Sequence, residues 1–183
     1  MQESNIGAIG FVELPGHWSD TAASAGRVGL AWERVFNLRG QDRVEIIFKY
    51  RGVPIDEASR KVLNFLTAQG PCPSLDREQI LALHTVLGVA TVGDNQFTND
   101  NQPGSLEGPR FHLAQASVDT VSGRNVLRVQ GRFVNNLYYD GIFYTAGKDG
   151  RVVEELFLQS PEIADFDTIK EDYQTILDSI VWR

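Results

Sequence analysis

Apolar and polar residues alternate with period two over much of the chain, and the period lengthens in two stretches near the middle and one at the end. In Arg43–Arg51 (RVEIIFKYR), Val44, Ile46, Phe48 and Tyr50 alternate with Glu45, Lys49 and Arg51, the pattern of a strand with one buried face. Ile6–Leu14, closed by Pro15-Gly16, and Val28–Leu38 precede it, so the first fifty residues predict two or three strands. From Val53 to Pro71 the spacing becomes helical, with Ile55, Ala58, Val62, Phe65 and Leu66 recurring on one side. Pro54 suits a first turn, Asp56 and Glu57 complement the helix dipole there, and Gly70-Pro71 ends the run. A second helix is predicted from Ser74, with Asp76 and Glu78 in its first turn, through Ile80, Leu83 and Leu87 to about Gly88.

Beyond a long polar stretch the alternation returns. FHLAQASVDTV, a Ser122-Gly123 turn and RNVLRVQGRFV predict one hairpin, and YYDGIFYTA, Gly147–Gly150 and RVVEELFLQS a second. Four consecutive strands with short links favour an antiparallel meander. In the last segment Ile163, Phe166, Ile169, Tyr173, Ile176 or Leu177, and Ile180 recur every three or four residues, which predicts an amphipathic helix packed on the sheet. The expected architecture is α+β, an antiparallel sheet of about six or seven strands flanked by helices. A length of 183 residues suits a single domain over 1–183.

Charge narrows the partners. The net −7 comes from scattered Asp and Glu, and no Lys/Arg cluster supplies the basic footprint of a nucleic-acid binder. Two readings of the charge stand: a solubility charge, which is the plainer, and a protein partner with a basic surface, since a field of this sign speeds such encounters. The single cysteine, Cys72 in GPCPS, allows neither an intramolecular disulfide nor a cysteine metal site. No apolar run of about 18 residues is present to span a membrane. The start, MQESNIGAIGF, has no basic n-region followed by an apolar core. An export signal removed by processing leaves the same start, so both cytoplasm and periplasm remain open.

Candidate chemistry is sparse. Gly93–Gly104 (GDNQFTNDNQPG) gathers carboxylates and amides around one aromatic ring. An EF-hand loop counted from Asp94 fails at Gln96, Thr98, Asn99 and Ser105. Three alternatives stand: an irregular calcium site on Asp94, Asn99 and Asp100; a solvated connection; and a binding loop with Phe97 as its anchor. His17 lies beside Ser19 and Asp20, too close in sequence for a proton relay assembled from separate elements. His84 sits among Leu81, Leu83 and Val86, His112 opens a strand, and no two histidines have metal-ligand spacing. Cys72 lacks the cationic surroundings that activate a thiol. Neighbouring carboxylates such as Glu154-Glu155 and Glu171-Asp172 are expected on the solvent side. No nucleophile elbow, phosphate loop or dinucleotide fingerprint occurs. No catalytic residue, metal or cofactor is therefore expected. The expected partner-binding residues are Asp94, Asn95, Phe97, Asn99 and Asp100 in the loop, with Tyr138 and Tyr139 on the aromatic hairpin.

The order of elements, the hairpin YYDGIFYTAGKDGRVVEEL and the ending YQTILDSIVWR resemble the PsbP-like superfamily. That group includes the extrinsic photosystem II protein, a Ran-binding import factor and bacterial lipoproteins; some bacterial immunity proteins are similar in build. The resemblance implies a helix-flanked antiparallel sheet and mostly non-enzymatic binding, and it assigns no site residue. The expected function is accordingly protein binding, as an inhibitor, an immunity-like protein or an assembly factor. The alternatives are a small-molecule or lipid binder with a pocket between sheet and helices, and a hydrolase with dispersed catalytic residues.

Overall fold

The computed structural model describes residues 2–21, 26–28, 31–54, 56–80, 82–83, 111–133, 136–163 and 165–183. Its elements begin with β1 (Gln2–Ile6), β2 (Ile9–Glu13), β3 (Trp18–Asp20), β4 (Gly26–Val28), β5 (Ala31–Leu38), β6 (Gln41–Pro54) and α1 (Glu57–Ala68). They continue with β7 (Phe111–Val121), β8 (Arg124–Phe133), β9 (Tyr138–Ala146), β10 (Val152–Ser160), α2 (Phe166–Asp178) and β11 (Val181–Trp182). A small sheet has the order β1-β2-β11, and a large one runs β3-β5-β6-β10-β9-β8-β7, with β4 also paired to β5. The architecture is α+β, a mostly antiparallel sheet flanked by helices. Strands β7 to β10 form the predicted meander. The meander then joins the first half of the chain, β10 lying against β6 with Leu156 opposite Phe48.

Both faces of the large sheet are covered. On one, Ile46, Phe48, Ile142, Tyr144, Leu156 and Leu158 pack with Ile169, Tyr173, Ile176 and Leu177 of α2 and with the small sheet. On the other, Ile47, Phe143, Val153 and Phe157 pack with Leu63 and Leu66 of α1. Alternation in β6 suggested one buried face; Ile47 and Lys49 on the opposite face are buried as well. A strand with helices on both sides hides both sets of side chains, whichever set is the more apolar.

Several boundaries differ from the sequence pattern, each for a local reason. Ile6–Leu14 is not one strand but spans the β1–β2 turn at Gly7-Ala8. Gly7 has φ +60, and a Cβ there would lie 2.2 Å from a Glu154 carboxylate oxygen, so the turn requires glycine both for its backbone and for the approach. Pro54 ends β6 instead of opening α1. The helix starts at Glu57 because Asp56 caps it, accepting from the Ser59 amide at 2.9 Å. Phe65, placed by spacing on the apolar side, is 63% exposed, while Ser59, Leu63 and Leu66 face the core. The next helical residues are 77–80 and 82–83. They open with reciprocal bonds, Gln79 N–H to Asp76 Oδ1 at 2.8 Å and Asp76 N–H to Gln79 Oε1 at 2.9 Å, a capping box. The last helix stops at Asp178, and Val181 and Trp182 turn into the small sheet.

Candidate functional site

Three polar clusters are built into the covered faces. Under α1, Lys49 Nζ lies 3.5 Å from Glu155 Oε2 and 4.8 Å from the Phe157 ring centroid, and the Tyr139 hydroxyl donates to Glu155 Oε1 at 2.5 Å. Glu155 is 1% exposed and Lys49 7%. Burial holds the Glu155 carboxyl above the ordinary carboxylate range, against the pull of Lys49 and the Tyr139 hydrogen bond. Tyr139 reaches Glu155 by lying over Gly141, where a Cβ would meet the phenol oxygen at 2.1 Å. Under α2, Arg128 grips Asp140 with two bonds, Nε to Oδ1 at 2.9 Å and Nη2 to Oδ2 at 2.8 Å, and Gln130 donates to the same Oδ2. Burial disfavours the Arg128 charge, but Asp140 outweighs it and raises the guanidinium pKa. Glu154 accepts from the Ala8 amide at 2.7 Å and so ties β10 to the small sheet.

The expectation that Glu154 and Glu155 face solvent is overturned: both are buried, on opposite faces. A sequence signal was present. Charges embedded in Tyr138–Tyr144 and Val152–Leu158, where apolar residues occupy both parities, mark strands covered on both sides. Such charges must then find partners inside.

An open concavity lies at the end of the sheet where the β7–β8 and β9–β10 turns meet α1. One lobe, of about 440 Å³, lies between α1 (Leu63, Thr67) and the sheet (Asn125, Tyr144). The other, of about 570 Å³, lies between the β1–β2 turn and the β9–β10 turn. Arg124 and Thr145 line both lobes. The Ser122-Gly123 turn positions Arg124 as the first residue of β8. Its guanidinium lies 4.8 Å from the Trp182 ring centroid and 5.6 Å from that of Tyr144, rings that meet edge to face. Trp182 is fixed by its indole N–H, which donates to the Val121 carbonyl at 2.9 Å. Arg124 Nη2 donates to the Thr145 carbonyl, and Asn125 Nδ2 to the Thr67 carbonyl at 2.6 Å, tying β8 to α1. No contact-forming motif in the sequence marks this site, because its parts come from five separated segments.

Of the expected partner-binding residues, Asp94, Asn95, Phe97, Asn99 and Asp100 lie outside the described residues, as does His84. Tyr139 is 1% exposed and belongs to the core, a correction to its expected place on a binding surface. It shares a face with Phe143 while Tyr144 points to the other, as plain alternation through Gly141 dictates. Tyr138 is half-buried against Phe166, ring centroids 4.9 Å apart. His17 Nε2 lies 2.5 Å from Asp172 Oδ2, which also accepts from the Trp18 indole at 3.1 Å. Ser19 bonds the Asn37 carbonyl instead, so no hydroxyl completes that pair. Among the described residues, no group of three or more His, Cys, Asp or Glu is arranged to hold a metal ion, and no helix is long and apolar enough to cross a membrane. No family model matches the chain, and no curated protein matches it.

Proposed function

We propose that this protein is a binding domain that works by contact with another protein, as an inhibitor, an immunity-like protein or an assembly factor. The carrying observation is the contrast between its polar groups. Lys49, Glu155, Arg128 and Asp140 are bound to one another inside the layers, whereas Arg124 is held on an aromatic corner facing an open cleft. Rigid aromatics beside a cation are the ingredients of an interface anchor. The PsbP-like order of elements supports the same class, and the net charge of −7 favours a partner that is basic overall. The loop Asp94–Gln102 is proposed as a further contact.

The test is capture. Tagged wild-type protein, expressed in its own cells, should retain a stoichiometric protein partner. The exposed rim double variant Lys148→Glu/Arg151→Glu should lose it by more than tenfold, roughly 1.4 kcal/mol, with an unchanged thermal midpoint. Equal capture by both, or none by wild type, ends this assignment. One observation favours a small-molecule binder as the second reading: the lobe between α1 and the sheet is within the 300–1,000 Å³ range typical of ligand pockets. Ligand density or mass retained through native purification would establish it.

A further inference from the structure

Arg124 is a half-buried cation without a counter-ion in contact. Among the described residues its one hydrogen-bond acceptor is the Thr145 carbonyl, and no carboxylate lies within ion-pair distance of it. A guanidinium carries five N–H donors in a planar fork. Its remaining donors are not among the atoms sealed from solvent, and the residue lines both lobes of the cleft. Burial holds its pKa below the ordinary arginine value, and Glu154 opposes this only in part. Arg128, also partly buried under a helix, has an acidic partner in Asp140.

The surroundings suit an anion on an organic chain. Leu63 and Tyr144 wall one lobe, and Ala146 and Val152 the other. The rim carries Lys148 and Arg151, both exposed and without an ion-pair acceptor among the described residues. Glu154 and Arg183 also line the second lobe, and the basic side chains at this end (Arg124, Lys148, Arg151, Arg183) outnumber the acidic ones (Asp149, Glu154), against the sign of the overall charge. An oxyanion entering between the lobes gains the unused donors of a fork already oriented by two rings, so little side-chain freedom is lost on binding.

We propose that the cleft is an oxyanion site in which Arg124 grips a carboxylate or phosphate group carried by an extended ligand. The proposal deepens the binding-domain assignment, for which this group would be the partner's anchoring acid.

The experiment is a ¹H–¹⁵N titration of the full chain, following the Arg124 Nε–H and the Thr145 and Gly147 amides. The probes are inorganic phosphate, succinate, and a capped Ala-Glu-Ala-Glu-Ala peptide. Saturating shifts at these three positions are expected for at least one probe, with a Kd of about 1 mM or tighter. The strongest probe then identifies the source: phosphate a phosphorylated ligand, succinate a free acid, and the peptide an acidic protein segment. Arg124→Lys should weaken binding about tenfold by losing the fork while keeping the charge, and Arg124→Gln should abolish it. Should Arg124→Gln fail to fold, the wild-type and Arg124→Lys titrations still decide. The absence of saturating shifts up to about 20 mM of every probe, or unchanged affinity in Arg124→Lys, overturns the proposal. Oxyanion binding without a captured protein would remove the protein-partner assignment and leave this site standing; partner capture without oxyanion binding would do the reverse.

Discussion

Replacing Lys49 by Met tests how the core tolerates a buried carboxylate. The substitution keeps the aliphatic stem and removes an ammonium 3.5 Å from Glu155 Oε2. At an effective dielectric of about 20, that attraction amounts to about 5 kcal/mol. The carboxylate has a cheaper escape. Taking up a proton at pH 7, starting from the ordinary value of 4.5, costs about 1.36 kcal/mol per pH unit, or about 3.4 kcal/mol. The variant therefore folds with Glu155 neutral, and the loss at pH 7 is capped near that figure. The sign of the pH dependence follows. Glu155 in the fold has its pKa raised by burial, so its share of stability is fully present below the unfolded value and lost as pH rises through the folded one. Without Lys49 the folded value rises further, and the variant keeps losing stability with pH after the wild type has levelled off. Urea unfolding at pH 5, 6 and 7, with constant m, should show a gap that widens with pH and stays below about 3.4 kcal/mol, because the raised wild-type value already takes part of that cost. Lys49→Met/Glu155→Gln retains an acceptor for Tyr139 and should close most of the gap and flatten it. A pH-independent loss, a loss under about 1 kcal/mol at pH 7, or a double variant no better than the single one would refute the argument.

Gly141→Ala should cost about 2–4 kcal/mol in the same unfolding assay, since its Cβ would meet the Tyr139 hydroxyl at 2.1 Å and displace it from Glu155; a loss below about 0.5 kcal/mol would mean that the ring has room to move. Tyr173→Phe removes a buried bond of 2.9 Å from α2 to the Leu156 carbonyl and should cost about 1 kcal/mol, with no change counting against that bond. Partner capture is expected to fail in Lys148→Glu/Arg151→Glu while the fold persists. Oxyanion titration should saturate in wild type and weaken about tenfold in Arg124→Lys.

The four strands of the meander were legible because their turns carry Ser122-Gly123 and Gly147–Gly150 and because β-patterned stretches of nine to eleven residues flank those turns. The last helix was legible from Ile169, Tyr173, Ile176 and Leu177, the residues that are buried. Misplacements arose where a neighbour distant in sequence decided the outcome. Phe65 had the right spacing for the core, but α1 rests on β8 through Leu63 and Leu66 instead. Ile6–Leu14 was apolar enough for one strand, and the Glu154 carboxylate beneath Gly7 makes it a turn.

Local pattern alone settled the class of fold, since period two, helical spacing and turn residues act over a few positions and need no knowledge of what lies opposite. Tertiary structure decided which charges are buried and which are free to bind. Lys49 and Glu155 meet because β6 pairs with β10 across more than a hundred residues, and Arg124 reaches Trp182 because β11 returns to the first hairpin. The energy of a charge depends on its neighbours in space, and those are set by the pairing of strands far apart in the chain.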